Sequence, residues 1–317
     1  MARPTILVLH WLPDGFFARL AERFPEFEWI DGRDPAAFEQ HHARAIITYG
    51  QPPLERLADL QALRWIQLTS AGVVQDLCPP AQARSITVTN LAGLYGPSIA
   101  EHAVAFLSVL GRQLHIAFRN QQQAAWDNSV AKSMVDLRGR TLAIVGLGNI
   151  GQHIARLAQA YGMRVVGCRR TGAPTPFVDE VYARSELGTM LAEADFVTVA
   201  APLTAATTGM LGPAEFADMK PGVIYVNVSR GPIAQEPALL EALRSGRVAA
   251  AGLDVFTIEP LPADHPLWTM PQVLISPHYC GDTVNLSSQP AERFARNLVA
   301  WNSGRPLEGI VDLDHGY

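Results

Sequence analysis

Three ionisable side chains in the second half of the chain stand directly after apolar, strand-like runs: Arg230 after GVIYVNVS, Asp254 after VAAAGL and His278 after QVLISP. A guanidinium, a carboxylate and an imidazole can together hold an anionic substrate and move a proton at neutral pH. Singly, each has an ordinary structural use: Arg230 in a loop, Asp254 in a turn, His278 as a satisfied histidine. Their shared placement favours chemistry. In an open parallel α/β sheet, ligands lie beyond the carboxyl ends of the strands. These three, with Arg169 and Pro202 at the ends of two further runs, would converge on one crevice.

Glu259 follows in VFTIEP. A carboxylate beside His278 would orient the imidazole and stabilise its protonated form, although on spacing alone Glu259 reads as a solvated loop acid. His265, in ADHPLW, is the rival histidine, but it lies in a Pro-rich loop and not at a strand end. His41, His42, His102, His115 and His153 show no ligand-like grouping, so core or surface roles are expected for them.

The run TLAIVGLGNIGQHIARL supplies a second kind of site. Glycines at this spacing are common in turns, but here they close a strand and open an amphipathic helix, with another strand following. Gly146 allows the tight turn, Gly148 a close approach of backbone to pyrophosphate, and Gly151 close helix–strand packing. Asn149 and Ile150 open a helix whose N-terminus favours phosphate charge. About twenty residues on, dinucleotide sites for NAD(H) place an acid for the ribose hydroxyls. This chain has Arg169 and Arg170, in VVGCRR, with the Thr171 hydroxyl beside them. Two cations suit a ribose phosphate, so NADP(H) is the expected cofactor and NAD(H) the alternative. Solvated loop arginines are the plain reading. Pro202, Val228, Ser229 and Asp254 complete the expected cofactor-contacting set.

The elements that must carry these residues alternate between β-like and helical patterns. TILVLH, ARAIITYG, RWIQLTS and SITVTN are predicted strands of the first part, with helices at FARLAERF and LERLADL. Continuous Val/Ile/Ala runs such as VIYVNV in the second part suit strands covered on both faces. The spacing predicts two α/β domains, each a parallel sheet flanked by helices. Residues 1–95 and 285–317 form one domain and 96–284 the dinucleotide-binding Rossmann domain. A helix over 98–118 is predicted, with Ser98 and Glu101 as a capping box. It is apolar around much of its surface and so expected to pack between domains or subunits.

Composition narrows the classes further. The 317 residues are 48% apolar, enough for two cores. A net charge of −5 offers no general attraction to nucleic acid or an anionic membrane. Cys78, Cys168 and Cys280 are scattered without a CxxC pair, which argues against a zinc site or disulfide framework and fits a reducing cytoplasm. MARPTILVLH reads as a first strand rather than a secretory leader, and IAEHAVAFLSVLGRQL carries too many ionisable groups for a membrane span. No metal site is expected.

In order, GLGNIG, VNVSRG, GLDVFTIEP and SPH resemble the D-2-hydroxyacid dehydrogenase family over essentially the whole chain. WIQLTSAG, the IAEH helix and MRVVGCRR are most similar to its glyoxylate/hydroxypyruvate reductase branch. The resemblance implies a flavodoxin-like substrate domain, a Rossmann cofactor domain and closure of the two over a cleft. It implies that Arg230 holds the carboxylate and carbonyl oxygen of a small 2-oxo acid, and that His278 is the general acid/base with Glu259 its partner. Asp254 would contact the nicotinamide carboxamide. Ser70, Ala71 and Gly72 would bind the substrate carboxylate through backbone amides, with Tyr49 and Gly50 nearby. A homodimer through the 98–118 region is implied too.

The chain departs from the family pattern at Tyr279–Cys280, where smaller residues are frequent, so the resemblance leaves pocket size and substrate open. Gln235–Glu236 replace a frequent Asp–Glu at a place expected to be structural. No regulatory domain is expected after the last helix. The expected activity is NADPH-dependent reduction of a glyoxylate- or hydroxypyruvate-type acid to the D-2-hydroxy acid. The alternatives are a formate- or phosphite-type dehydrogenase on this fold, or a non-catalytic cofactor-sensing module. Glu259 speaks against the formate type, and a chain with neither long tails nor a basic patch speaks against the sensor.

Overall fold

The computed structural model describes residues 3–170, 172–286 and 288–316. The chain divides into two compact units, Met1–Tyr95 with Asp282–Tyr317, and Gly96–Gly281. The return to the first unit comes at Asp282 rather than at residue 285.

The first unit holds five parallel strands, β1 (Thr5–Val8), β2 (Glu28–Asp31), β3 (Ala45–Tyr49), β4 (Trp65–Gln67) and β5 (Thr87–Thr89), in the order β2-β1-β3-β4-β5. This is the flavodoxin-like order, with the direction of winding reversing between β1 and β3. One face of the sheet packs on the returning helix Gln289–Asn302. Its Phe294 ring lies 5.0 Å from Tyr49 and 5.4 Å from Trp65, centroid to centroid. Leu57, Leu60, Leu77 and Val88 fill the other face. Residues Leu54–Asp59, predicted helical, form a 3₁₀ segment instead.

The second unit holds β6 (Thr141–Val145), β7 (Arg164–Arg169), β8 (Glu180–Ala183), β9 (Phe196–Val199), β10 (Val223–Asn227), β11 (Val248–Leu253) and β12 (Val273–Ile275). All are parallel, in the order β12-β11-β10-β9-β6-β7-β8, and winding reverses between β6 and β9. Strands β9 and β10 are buried at every residue. That is why they read as unbroken apolar runs. The strand ends that matter chemically therefore share one edge of one sheet.

The single helix predicted over 98–118 is two helices, Gly96–Gly111 and Leu114–Gln122. Between them Gln113 takes a left-handed φ of 52°. The first helix starts before the predicted Ser98 cap, because Pro97 fits its first turn, where a missing N–H costs no hydrogen bond.

Candidate active site

His278 lies just past β12, with φ at 53°. This region costs a non-glycine residue about 1–3 kcal/mol, so surrounding bonds must hold it. They come from Asp254, just past β11. Its carbonyl accepts the His278 N–H at 2.9 Å. Its carboxylate accepts the Tyr279 N–H at Oδ1 and the Cys280 N–H at Oδ2, both at 3.2 Å, and the Ser276 hydroxyl at 2.5 Å. Asp254 has no exposed surface. The carboxylate is turned inward and serves the segment that carries His278.

The His278 ring points toward Glu259, with Nδ1 2.6 Å from Oε2. Glu259 Oε1 accepts the Phe256 N–H at 2.9 Å, which fixes the carboxylate from behind. A carboxylate only accepts, so Nδ1 carries the proton. Nε2 has no partner among the described residues. At 43% and 33% side-chain exposure, the pair is reachable by a small solute. The solvated loop acid suggested by spacing alone is thus a histidine partner.

Arg230, just past β10, sits on a turn held by Asn227. The Asn227 Oδ1 accepts the Ser229 N–H at 3.1 Å, and its amide donates to the Arg230 carbonyl at 3.1 Å. Arg230 donates one N–H to the Ser229 carbonyl at 2.7 Å. No carboxylate pairs with it among the described residues, which leaves most of the guanidinium fork for an anion. The next residue explains how this turn and Glu259 keep their relation. A Cβ on Gly231 would lie 2.0 Å from the Phe256 carbonyl carbon, so only glycine lets the two backbones touch.

The cradle beyond β6 fits a dinucleotide. Gly146 has φ of 102°, and a Cβ there would lie 2.5 Å from the Ala201 backbone. Gly148 is exposed, and a Cβ on it would meet nothing within 4 Å, so backbone and open space coincide at the start of helix Asn149–Ala160. No side chain caps that helix. Asn149 is exposed and Ile150 half-buried, so the first amides of the helix are available to a pyrophosphate.

Arg169 is half-buried and donates to Thr175 Oγ1 at 3.2 Å, and Arg170 is exposed. Neither has an acidic partner among the described residues; Thr171 lies outside them. Burial pushes the neighbouring Cys168 thiol up to about 11, leaving it inert at neutral pH. Pro202 is exposed past β9. Val228 and Ser229 are buried, and the Ser229 hydroxyl is spent on the Ala201 carbonyl, so a cofactor could meet only their backbone.

In the first unit, Ser70–Ala71–Gly72 follow β4. The Leu91 N–H donates to the Ser70 carbonyl and the Asn90 side chain to the Ala71 carbonyl, both at 2.9 Å. The Ser70 hydroxyl closes on the Gly72 carbonyl at 2.7 Å. With the carbonyls tied, the Ala71 and Gly72 amides keep no acceptor among the described residues. Gly50 directly follows β3, whose last residue is Tyr49. Tyr49 is 2% exposed in the core, and burial pushes its phenol above the usual tyrosine range.

His265 has both ring nitrogens engaged, Nδ1 by the Leu267 N–H at 3.3 Å and Nε2 by Glu236 Oε1 at 3.1 Å. It caps a 3₁₀ turn. Asn227 and Asn90 carried no sequence signal, and His102, expected in a core or surface role, reaches Ser276. Among the described residues no group of His, Cys, Asp or Glu could hold a metal ion, and no helix is long and apolar enough to cross a membrane.

Residues 104–280 match the family model described as D-isomer specific 2-hydroxyacid dehydrogenase, NAD binding domain. A D-3-phosphoglycerate dehydrogenase from Mycobacterium leprae is 32% identical over the whole chain, which spans 60% of that protein's length. A glyoxylate reductase from Korarchaeum cryptofilum is 32% identical, with 98% of this chain and 97% of the relative aligned. Among solved structures, an NADPH-dependent glyoxylate/hydroxypyruvate reductase from Sinorhizobium meliloti, in complex with NADP and sulfate, matches with a TM-score of 0.86. Its identity is 26% and both chains are fully covered.

Proposed function

The chain belongs to the D-isomer specific 2-hydroxyacid dehydrogenase family, and from that membership we propose that it reduces a small 2-oxo acid of the glyoxylate or hydroxypyruvate type to the D-2-hydroxy acid, with NADPH. The observation that carries this is the His278–Glu259 contact of 2.6 Å, with Nδ1 committed to the carboxylate and Nε2 open. In the doubly protonated imidazolium, Nε2–H donates its proton to the oxo oxygen as charge develops there. The ring is left as the Nδ1–H tautomer, still bonded to Glu259. Arg230 binds the substrate carboxylate and polarises the oxo group through charge-assisted bonds. When bound, the reduced nicotinamide supplies the hydride.

Gly146, Gly148 and Gly151 with the Asn149 and Ile150 amides would hold the pyrophosphate, and Arg169 and Arg170 the ribose phosphate. Ser70–Gly72 are the proposed anion-binding loop of the first unit. Pairing of two chains through the 98–118 region is supported by Leu114 and Phe118, which are exposed on helix Leu114–Gln122. A cytoplasmic location is proposed on composition and cysteine spacing.

The mycobacterial relative favours a second reading, a D-3-phosphoglycerate-type substrate. Loss of reduced-nicotinamide absorbance with glyoxylate, hydroxypyruvate and 3-phosphohydroxypyruvate separates the two, and gain of it with formate and phosphite covers the other chemistries. Turnover with glyoxylate or hydroxypyruvate well above the phosphorylated acid is expected. The reverse order would favour the second reading, and activity with formate or phosphite alone would remove both.

A further inference from the structure

A chain of hydrogen bonds runs behind His278, away from the reacting face. His102, on helix Gly96–Gly111, has Nε2 3.0 Å from the Ser276 hydroxyl, and that hydroxyl reaches Asp254 Oδ1 at 2.5 Å. The protons in this chain can be counted. Asp254 accepts from three donors and gives none. The serine has one proton, and its 2.5 Å contact assigns that proton to the carboxylate. Ser276 can then only accept from His102, so the imidazole must be protonated at Nε2.

The surroundings fit this polarity. The His102 ring is clamped edge-on by Phe106, at 4.6 Å between centroids, and by Tyr279, at 5.7 Å. Burial lowers its pKa against the opposing pull of Asp254, favouring a neutral ring at neutral pH. Ser276 is 2% exposed, so water does not compete for its hydroxyl.

We propose that His102 and Ser276 are positioning residues for His278: the Nε2–H tautomer of His102 orients the Ser276 hydroxyl onto Asp254, and Asp254 so oriented holds 276–280 in the left-handed turn that aims the His278 ring at Glu259. The serine proton adds a third donor to the carboxylate that takes the Tyr279 and Cys280 amides, while the Asp254 carbonyl takes the His278 amide. Tyr279, where the family pattern is smaller, closes the ring of contacts by pressing on His102.

The inference rests on His278 as the proton donor, so its test needs a readout independent of turnover. In ¹⁵N-histidine-labelled protein, the His102 ring should be neutral with the proton on Nε2, and Ser276→Ala should move the His278 ring resonances. A proton on Nδ1 of His102, or unmoved His278 resonances in Ser276→Ala, would overturn the proposal even if the chain reduced no oxo acid at all. That last result would fall on the function alone.

In the active protein, Ser276→Ala and His102→Leu should each lower kcat about tenfold, a modest share of what ångström-scale misplacement can cost. KM for the oxo acid should stay within about twofold, and the double variant should lose no more than the worse single one, because both break one chain. His102→Gln, whose amide can donate from a similar place, should recover most of the turnover. Multiplying losses, or a glutamine as poor as leucine, would make the two residues independent packing positions and refute the proposal.

Discussion

Glu259 and His278 form a tight pair whose geometry decides which ring nitrogen is available. Oε2 takes Nδ1 at 2.6 Å while Oε1 is pinned by the Phe256 N–H. The carboxylate cannot swing away without breaking a backbone bond. The ring therefore presents Nε2, with Nδ1 held on the carboxylate behind it.

That pairing sets a pH dependence. Reduction consumes a proton and uses the imidazolium, so its rate should fall as pH rises, whereas oxidation, which needs the neutral ring, should rise. Glu259→Gln keeps the shape and an oxygen for Phe256 but removes the negative charge. kcat/KM for reduction should then fall, because the ring loses the charged partner that holds Nδ1. An unchanged kcat/KM would separate Glu259 from the chemistry.

Arg230→Lys should be far from conservative. Lysine keeps the charge but loses the planar fork that can hold two oxygens. kcat/KM for the oxo acid should drop at least about tenfold, equivalent to a lost charge-assisted bond of roughly 1.5–3 kcal/mol. A fully active lysine variant would show that charge alone matters at this position.

Gly231→Ala probes the contact between the Arg230 turn and the Glu259 loop. Its Cβ would overlap the Phe256 backbone, which cannot yield as a side-chain end would. Stability should fall by about 1–3 kcal/mol, the usual cost of overpacking, measured by urea unfolding. kcat should fall as well, because Arg230 and Glu259 are pushed apart. Unchanged stability would mean that the two backbones separate freely.

NADPH should be preferred to NADH by at least about tenfold in catalytic efficiency, the low end for one charge-assisted bond to phosphate in an open loop. Arg169→Asp should remove or reverse the preference, and added salt should narrow it. Equal use of both cofactors by the wild-type protein would assign Arg169 and Arg170 to solvent.

Much of this was legible before the structure, for physical reasons that also explain the gaps. Strands such as β9 and β10 are covered on both faces and announce themselves as apolar runs. Strands β2 (EWID) and β8 (EVYA) are short, carry charged residues and lie at sheet edges only partly buried, so no pattern marked them. The break at Gln113 is a single backbone dihedral with no sequence signal. In the candidate site, strand-end placement brought Arg230 and His278 to notice, because a parallel sheet gathers those ends on one edge. It did not reveal that the Asp254 and Tyr49 side chains are buried, because placement along a strand does not show whether a side chain faces outward or into the protein. The His102–Ser276 contact joins residues 174 apart in sequence and could come only from the fold.

The most direct measurement is made on His278→Ala, with turnover of the preferred 2-oxo acid and NADPH affinity determined on the same preparation. Turnover should fall about 10²–10⁴-fold, the usual contribution of a positioned proton donor, while the NADPH dissociation constant stays within a few-fold of wild type. Turnover within a few-fold of wild type would contradict the assignment of the proton to His278 and with it the mechanism proposed for this chain.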